Sequence, residues 1–211
     1  EDASETYKMN FPESTHFGED IRKISDKRIL DAVGSKTVHV MAAGFPCQGF
    51  STAGKQDLMD ERNSLYKEVV RFAKILKPWY LIMENVPGII NMGKGRFIDS
   101  IISDFNKIGY PGLSISILES AEYGVPQLRP RAIFIGNRFD LPNPYPKPIL
   151  TPDKYVPIEN AIGDLKKSPR NPETNHEWTK HSEDMEKRLS KVLPGRSLYA
   201  SYADANKRQH K

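Results

Sequence analysis

The fold of this chain is decided by the stretch VHVMAAGFPCQGF, residues 38–50. Its first half is apolar and has no internal Gly or Pro, which predicts a short buried strand over residues 38–43. Gly44 and Pro46 then end the strand and place Cys47 at its carboxyl end. In an open α/β sheet, ligands bind and chemistry takes place at that edge.

Cys47 is the only cysteine in the chain. It has no internal disulfide partner, and metal ligation would need several other side chains. Two interpretations remain, an inert buried thiol and a nucleophile. The flanking Gly-Phe-Pro and Gln-Gly sequences describe a rigid exposed turn, and this context favours the nucleophile.

Length and composition fit one domain of ordinary size with an appendage. The 211 residues are 38% apolar and 27% charged, and the net charge is 31 − 27 = +4. No apolar run reaches 18 residues, so no membrane span is expected, and no signal peptide is visible. A single cysteine fits a reducing, intracellular compartment. The charge permits a polyanionic partner without indicating one.

Apolar helices and strands alternate along the middle of the chain. This βαβ rhythm is typical of a doubly wound, mainly parallel α/β sheet, and the last two strands are close enough to form an antiparallel pair. A further short edge element is predicted at residues 17–21, followed by a brief helix from Ser25 or Asp26 to Val33. The remaining helices are predicted at 63–76 and 97–108, and the remaining strands at 79–83, 113–118 and 132–136.

Glu84 follows the next predicted strand, 84 − 47 = 37 positions after Cys47. That spacing is one strand–helix–strand unit, and a right-handed crossover would place both residues at the same edge of the sheet. A thiolate beside a carboxyl group suits covalent addition to an electron-poor ring. Glu84 would also be compatible with a simpler role as an acid at a helix N-terminus.

Gln127, Arg129 and Arg131 alternate along the chain. In an extended segment this spacing places the three side chains on one face. Two guanidinium groups on one face suit a phosphate or a base carbonyl oxygen. A solvated strand edge would carry the same pattern.

Together these motifs resemble those of the DNA cytosine-5 methyltransferase family. Phe45-Pro46-Cys47-Gln48 is similar to the catalytic-cysteine motif, Glu84-Asn85-Val86 to the Glu-Asn-Val motif, and residues 123–131 to the Gln-x-Arg-x-Arg motif. Lesser matches lie at residues 18–21 and 62–66. The motifs occur in the family's order and cover residues 7–138.

The resemblance implies a Rossmann-like S-adenosylmethionine-dependent methyltransferase fold. It also implies methyl transfer from S-adenosylmethionine to carbon 5 of a cytosine flipped out of duplex DNA. Cys47 would add to ring carbon 6, Glu84 would contact N3, Arg131 would hold O2 and Arg129 would support the site. The other implied residues are Phe45, Pro46, Gln48, Asn85, Val86 and Gln127 for the substrate, and Asp20, Ile21 and Leu65 for the cofactor.

The family's glycine-rich cofactor turn and closing motifs have no counterpart here. We therefore expect a fragment that is inactive alone, with part of the catalytic domain at residues 1–138. Residues 139–211 would be a proline-rich linker and the start of a target-recognition domain. The expected parent is a bacterial restriction–modification enzyme that is a monomer and binds duplex DNA. We expect it in the cytoplasm, associated with the nucleoid, and without a membrane partner.

Three other readings remain open. The first is a cytosine-5 methyltransferase that acts on tRNA, although Gln48 after the cysteine favours DNA as the substrate. The second is a non-catalytic DNA-binding remnant. The third is a thiol hydrolase, although none of the five histidines lies in a recognisable general-base motif.

Overall fold

The computed structural model describes residues 2–46, 65–171, 173, 177 and 179–192. The chain forms two compact units, Glu1–Ala161 and Ile162–Lys211. The first unit therefore continues past residue 138, where the sequence predicted a functional division. That division into a catalytic and a recognition domain stays a prediction.

The first unit is built on a four-stranded sheet with the order β1-β2-β4-β3. Strands β1 and β2 are parallel, and Gly44 lies opposite Glu84. Strand β4 is antiparallel to both of its neighbours, β2 and β3. The strands are β1 (Val40–Gly44), β2 (Tyr80–Asn85), β3 (Ser114–Glu119) and β4 (Pro130–Asn137).

This topology corrects the prediction of a mainly parallel sheet. Strands β1, β2 and β3 run in one direction, but β4 runs the opposite way between β2 and β3, so the described pairing is mixed. The cause is the connection over residues 120–129, which is shorter than the dozen or more residues that a parallel crossover needs. The chain therefore turns back beside β3, and the predicted antiparallel pair of last strands is confirmed.

The predicted helices are present, with small shifts at their ends. Ser25 caps α2 by accepting the N–H of Arg28, and Gly34, with φ of 62°, ends it in a conformation that favours glycine. Asn63, the predicted start of α3, lies outside the described residues. The helices are α1 (Asp2–Asn10), α2 (Asp26–Val33), α3 (Tyr66–Leu76), α4 (Arg96–Lys107), α5 (Ile158–Ile162) and α6 (Glu183–Leu189).

The predicted edge element at residues 17–21 is not a strand. Asp20 accepts the backbone N–H of Arg22 and begins a short 3₁₀-helix, Ile21–Lys23. An Asp side chain that bonds the backbone two residues ahead offers that backbone an alternative to a sheet ladder, which explains the difference.

The core lies between the sheet and helices α3 and α4. Apolar side chains from α3, α4, β2 and β4 form one buried cluster, which also includes Phe45 at the end of β1. The core therefore extends to the carboxyl end of the first strand and holds that end in place. Representative buried residues are Val69, Ala73, Leu81, Met83, Ile101, Phe105 and Phe134.

No helix in the described part of the chain is long and apolar enough to cross a membrane.

Candidate active site at the carboxyl ends of the strands

Asn85 joins the ends of β1 and β2. Its side chain is buried, its Nδ2 donates to the carbonyl oxygen of Phe45 at 3.2 Å, and its Oδ1 accepts the N–H of Val86 at 2.9 Å. These bonds fix the backbone of Phe45, the first residue after β1, relative to the Glu84-Asn85-Val86 motif. The start of the Cys47 motif and the Glu84 motif are therefore held together, as the crossover argument expects.

Glu84 and Arg131 form an ion pair at this edge. The Nε of Arg131 lies 2.7 Å from Oε1 of Glu84, and the side chains are 20% and 47% exposed, respectively. Arg131 also donates from Nη1 to the carbonyl oxygen of Pro130. A half-exposed carboxylate paired with a less exposed guanidinium can still contact a ligand that enters from solvent.

The backbone of Arg129, two residues earlier, is anchored on both sides. Its N–H donates to Oε1 of Glu119 at 2.5 Å, and its carbonyl oxygen accepts from the Oγ of Ser120 at 2.9 Å. Gln127 lies in a turn, with its N–H bonded to the carbonyl oxygen of Val125 at 2.8 Å. The expected one-face alternation therefore does not extend to Gln127, because β4 begins only at Pro130.

A largely apolar cavity of about 370 Å³ opens beside the end of β1. Two residues predicted to bind a cofactor, Ile21 and Leu65, contribute to its wall, as do Phe45 and Pro46. Its size is within the range of small-molecule sites. The remaining wall residues are Met41, Ala42, Ala43, Gly44, Val69 and Phe72.

Arg71 of α3 holds the segment that carries Ile21. Its Nη2 donates to the carbonyl oxygen of Ile21 at 3.0 Å, and its guanidinium pairs with Asp26 and Glu68 at 2.5 and 2.7 Å. Burial opposes the charge of Arg71, but the bonds to these two carboxylates raise its pKa above the usual value. Ile21 is therefore fixed at the cavity by a long-range contact.

Asp20, the third residue predicted to bind a cofactor, is engaged with Arg22. The Nη2 of Arg22 lies 2.6 Å from Oδ2 of Asp20, and side-chain and backbone hydrogen bonds from Arg22 lower the pKa of Asp20 to about 2. The carboxylate is therefore ionised at neutral pH. A ligand that uses Asp20 as an acceptor must share it with Arg22.

Sequence reasoning missed some residues of this site. Val69 and Phe72 recur at helical spacing in α3, which predicts a buried face but does not show that they also face a cavity. Arg71 and Glu119 carried no sequence signal, since their partners are distant or on another strand. The predictions for Cys47 and Gln48 lie outside the described residues.

Removal of the Asn85 amide is expected to destabilise the first unit. Asn85→Ala leaves the Phe45 carbonyl and the Val86 N–H without their partner, which costs about 2 kcal/mol or more in the free energy of unfolding. Urea unfolding would measure it. Asn91→Ala is the matched control, because Asn91 is exposed, and a change within about 0.5 kcal/mol is expected. Equal stability of the two variants would contradict the proposed link.

Solved structures share this fold. One is described as a DNA modification methyltransferase encoded within an Escherichia coli prophage; it has a TM-score of 0.60 and 27% identity, over 76% of this chain and 44% of that one. The Entamoeba histolytica methyltransferase EhMeth, at 21% identity and a TM-score of 0.54 over 71% of this chain and 46% of that one, supports the fold alone. The mixed sheet is therefore that of the Rossmann-like methyltransferases.

Sequence comparison identifies the family. Residues 1–209 match the family described as C-5 cytosine-specific DNA methylase. Type II methyltransferase M1.HphI of Haemophilus parahaemolyticus is 35% identical over 197 residues, which are 90% of this chain and 52% of the relative. Type II methyltransferase M.DdeI of Desulfomicrobium norvegicum is 38% identical over 172 residues, 77% of this chain and 40% of the relative.

The chain belongs to the C-5 cytosine-specific DNA methylase family. The resemblance drawn from the three motifs is thereby confirmed. The chain spans about half the length of M1.HphI and less of M.DdeI.

Proposed function

We propose that this protein transfers a methyl group from S-adenosylmethionine to carbon 5 of a cytosine in duplex DNA. The observation that carries the proposal is the Glu84–Arg131 pair, 2.7 Å apart, at the edge of the sheet where β1 leads into the Cys47 motif. An acid and a guanidinium at this edge match the N3 and O2 positions of one cytosine ring. Family membership supports the same reaction.

Three residues of the chain would each act on a different atom of the target cytosine. The Cys47 thiolate forms a bond to ring carbon 6, and the electron pair moves to N3, where Glu84 supports protonation. Carbon 5 would gain the methyl group as the bond from that group to the donor's sulfur breaks, with S-adenosylhomocysteine as the leaving group. N3 would then return its proton to Glu84, carbon 5 would lose its proton to a base, and the carbon 6–sulfur bond would break to release the thiolate. Arg131 has five N–H donors, so it would contact O2 while it remains paired with Glu84. The target base must leave the helical stack to reach these groups.

The cavity beside β1 is the proposed cofactor site, since its size and largely apolar wall suit a small molecule. When bound, S-adenosylmethionine supplies an electrophilic methyl group. Ile21 and Leu65 would contact it from the largely apolar wall, and the ionised Asp20 would accept a hydrogen bond from the adenine amine. Phe45 and Pro46 border the same cavity, so the cofactor and the base would meet at the end of β1.

The protein's setting is also part of the proposal. The relatives M1.HphI and M.DdeI are named type II methyltransferases, which supports a role in restriction–modification. Duplex DNA would be the partner, and we propose a monomer in the cytoplasm, associated with the nucleoid. Residues 1–138 would supply the catalytic part and residues 139–211 the beginning of target recognition.

Transfer of labelled methyl groups tests the function. The protein as its gene encodes it should label unmethylated duplex DNA in the presence of S-adenosylmethionine, and the label should be recovered as 5-methylcytosine. A fully premethylated duplex is the control and should stay unlabelled. Labelling of tRNA in place of DNA would change the substrate, and DNA binding without labelling would identify a non-catalytic protein.

A further inference from the structure

The ladder between β3 and β4 ends in an unusual pair. Glu119, the last residue of β3, lies opposite Pro130, the first residue of β4. Proline has no N–H, so the ladder cannot receive a donor there. The strand pairing of this hairpin therefore ends at Pro130, and Arg129 lies just outside it.

Where the ladder ends, the side chain of Glu119 accepts hydrogen bonds from the backbone. Its Oε1 accepts the N–H of Arg129 at 2.5 Å and also the N–H of Ala121 at 3.4 Å. The neighbouring Ser120 binds the next peptide group, since its N–H and Oγ both donate to the carbonyl oxygen of Arg129, at 3.3 and 2.9 Å. The backbone of Arg129 is thus held on both sides, and a carboxylate supplies the stronger, charge-assisted bond.

We propose that Glu119 is a positioning residue for Arg129, and this inference rests on the function proposed above. Glu119 fixes the backbone of Arg129, and Arg131 follows two residues later with its Nε at Glu84. Without that anchor, the chain before Pro130 gains freedom, and the Arg129 guanidinium loses its fixed position relative to the target base. Arg131 stays in β4, opposite Leu118. Glu119 itself does not contact the base.

Other contacts hold the rest of the connection between β3 and β4. The carbonyl oxygen of Glu122 accepts the N–H groups of Ile149 and Leu150, each at 3.0 Å, and the Tyr123 hydroxyl donates to the carbonyl oxygen of Pro146 at 3.0 Å. These bonds do not involve the Glu119 side chain. A substitution of Glu119 should therefore loosen Arg129 selectively and leave the fold intact.

The test compares Glu119→Ala, Glu119→Gln and Glu122→Ala in the full protein. Glu122 is a matched control, because its backbone, and not its carboxylate, makes the two bonds to Ile149 and Leu150. We expect Glu119→Ala to lower kcat/KM for duplex DNA about 10- to 100-fold, as misplaced catalytic groups do. KM for S-adenosylmethionine should stay within about twofold. Glu119→Gln keeps an acceptor oxygen and should recover most of the activity, and Glu122→Ala should resemble the wild type.

Hydrogen exchange provides a readout that is independent of catalysis. The Arg129 amide should be protected in the wild type and in Glu122→Ala, and should exchange faster in Glu119→Ala. An active wild type in which Glu119→Ala keeps full activity or an unchanged Arg129 amide overturns the positioning role. Global loss of protection in Glu119→Ala overturns it as well, because Glu119 would then support the whole fold. A wild type that labels no nucleic acid, but loses Arg129 protection on Glu119→Ala, refutes the proposed function and leaves the anchor standing.

Discussion

Replacement of Cys47 by alanine is expected to abolish methyl transfer to DNA, with a loss of at least about 10⁴-fold in kcat. In the proposed mechanism a thiolate is the nucleophile that makes carbon 5 of cytosine reactive, and Cys47 is the only thiol in the chain. Pro46, the residue before it, lies at the wall of the cavity beside β1, so the motif begins where a cofactor would bind.

The measurement has a chemical and a binding part. Labelled methyl transfer gives the rate, and a duplex with 5-fluorocytosine at the target should trap a covalent complex with the wild type, because fluorine cannot leave carbon 5 as a proton does. Cys47→Ala should trap nothing, yet should bind S-adenosylmethionine as the wild type does, which shows that the fold is kept. Methyl transfer that survives this substitution would exclude the covalent mechanism.

Loss of either partner of the Glu84–Arg131 pair should lower kcat/KM for DNA by about 10²- to 10³-fold. In the proposed function both groups act on the same ring, and Arg131 Nε lies 2.7 Å from Glu84 Oε1, so the two substitutions should be strongly non-additive. The double variant Glu84→Gln/Arg131→Ala should therefore be little worse than either single variant. Arg131→Lys keeps the charge but loses the planar fork and should recover only part of the activity.

Arg138→Ala is the control for this cycle. Arg138 is exposed and follows the other end of β4, where its Nη1 donates to the carbonyl oxygen of Lys77 at 3.4 Å. Its loss should leave methyl transfer within about twofold of the wild type if the proposed site lies only at the Arg131 end. Fully additive losses in the Glu84/Arg131 cycle, or an equal loss in Arg138→Ala, would show that the pair does not act on a common base.

Much of the local structure could be predicted from residue patterns. The apolar periodicity of α3 and α4, the cap and glycine stop of α2, and the runs that form β1 and β2 are signals between residues close in the chain. The family could be predicted as well, because its motifs are short and contiguous. The prediction of an edge element at residues 17–21 was wrong because an aspartate can either end a strand or begin a turn. The hydrogen bond that Asp20 accepts from Arg22 favours the turn.

The sequence by itself determined which residue types are available for chemistry, roughly where the strands would be, and that Cys47 and Glu84 lie near the carboxyl ends of two of them. Only the tertiary structure decided that β4 runs between β2 and β3, that Arg131 pairs with Glu84, and that Glu119 holds the backbone of Arg129. The physical reason is the distance along the chain between the residues that interact. Helix and strand patterns depend on neighbours a few positions apart, whereas these pairings depend on the register of strands that meet only when the core forms.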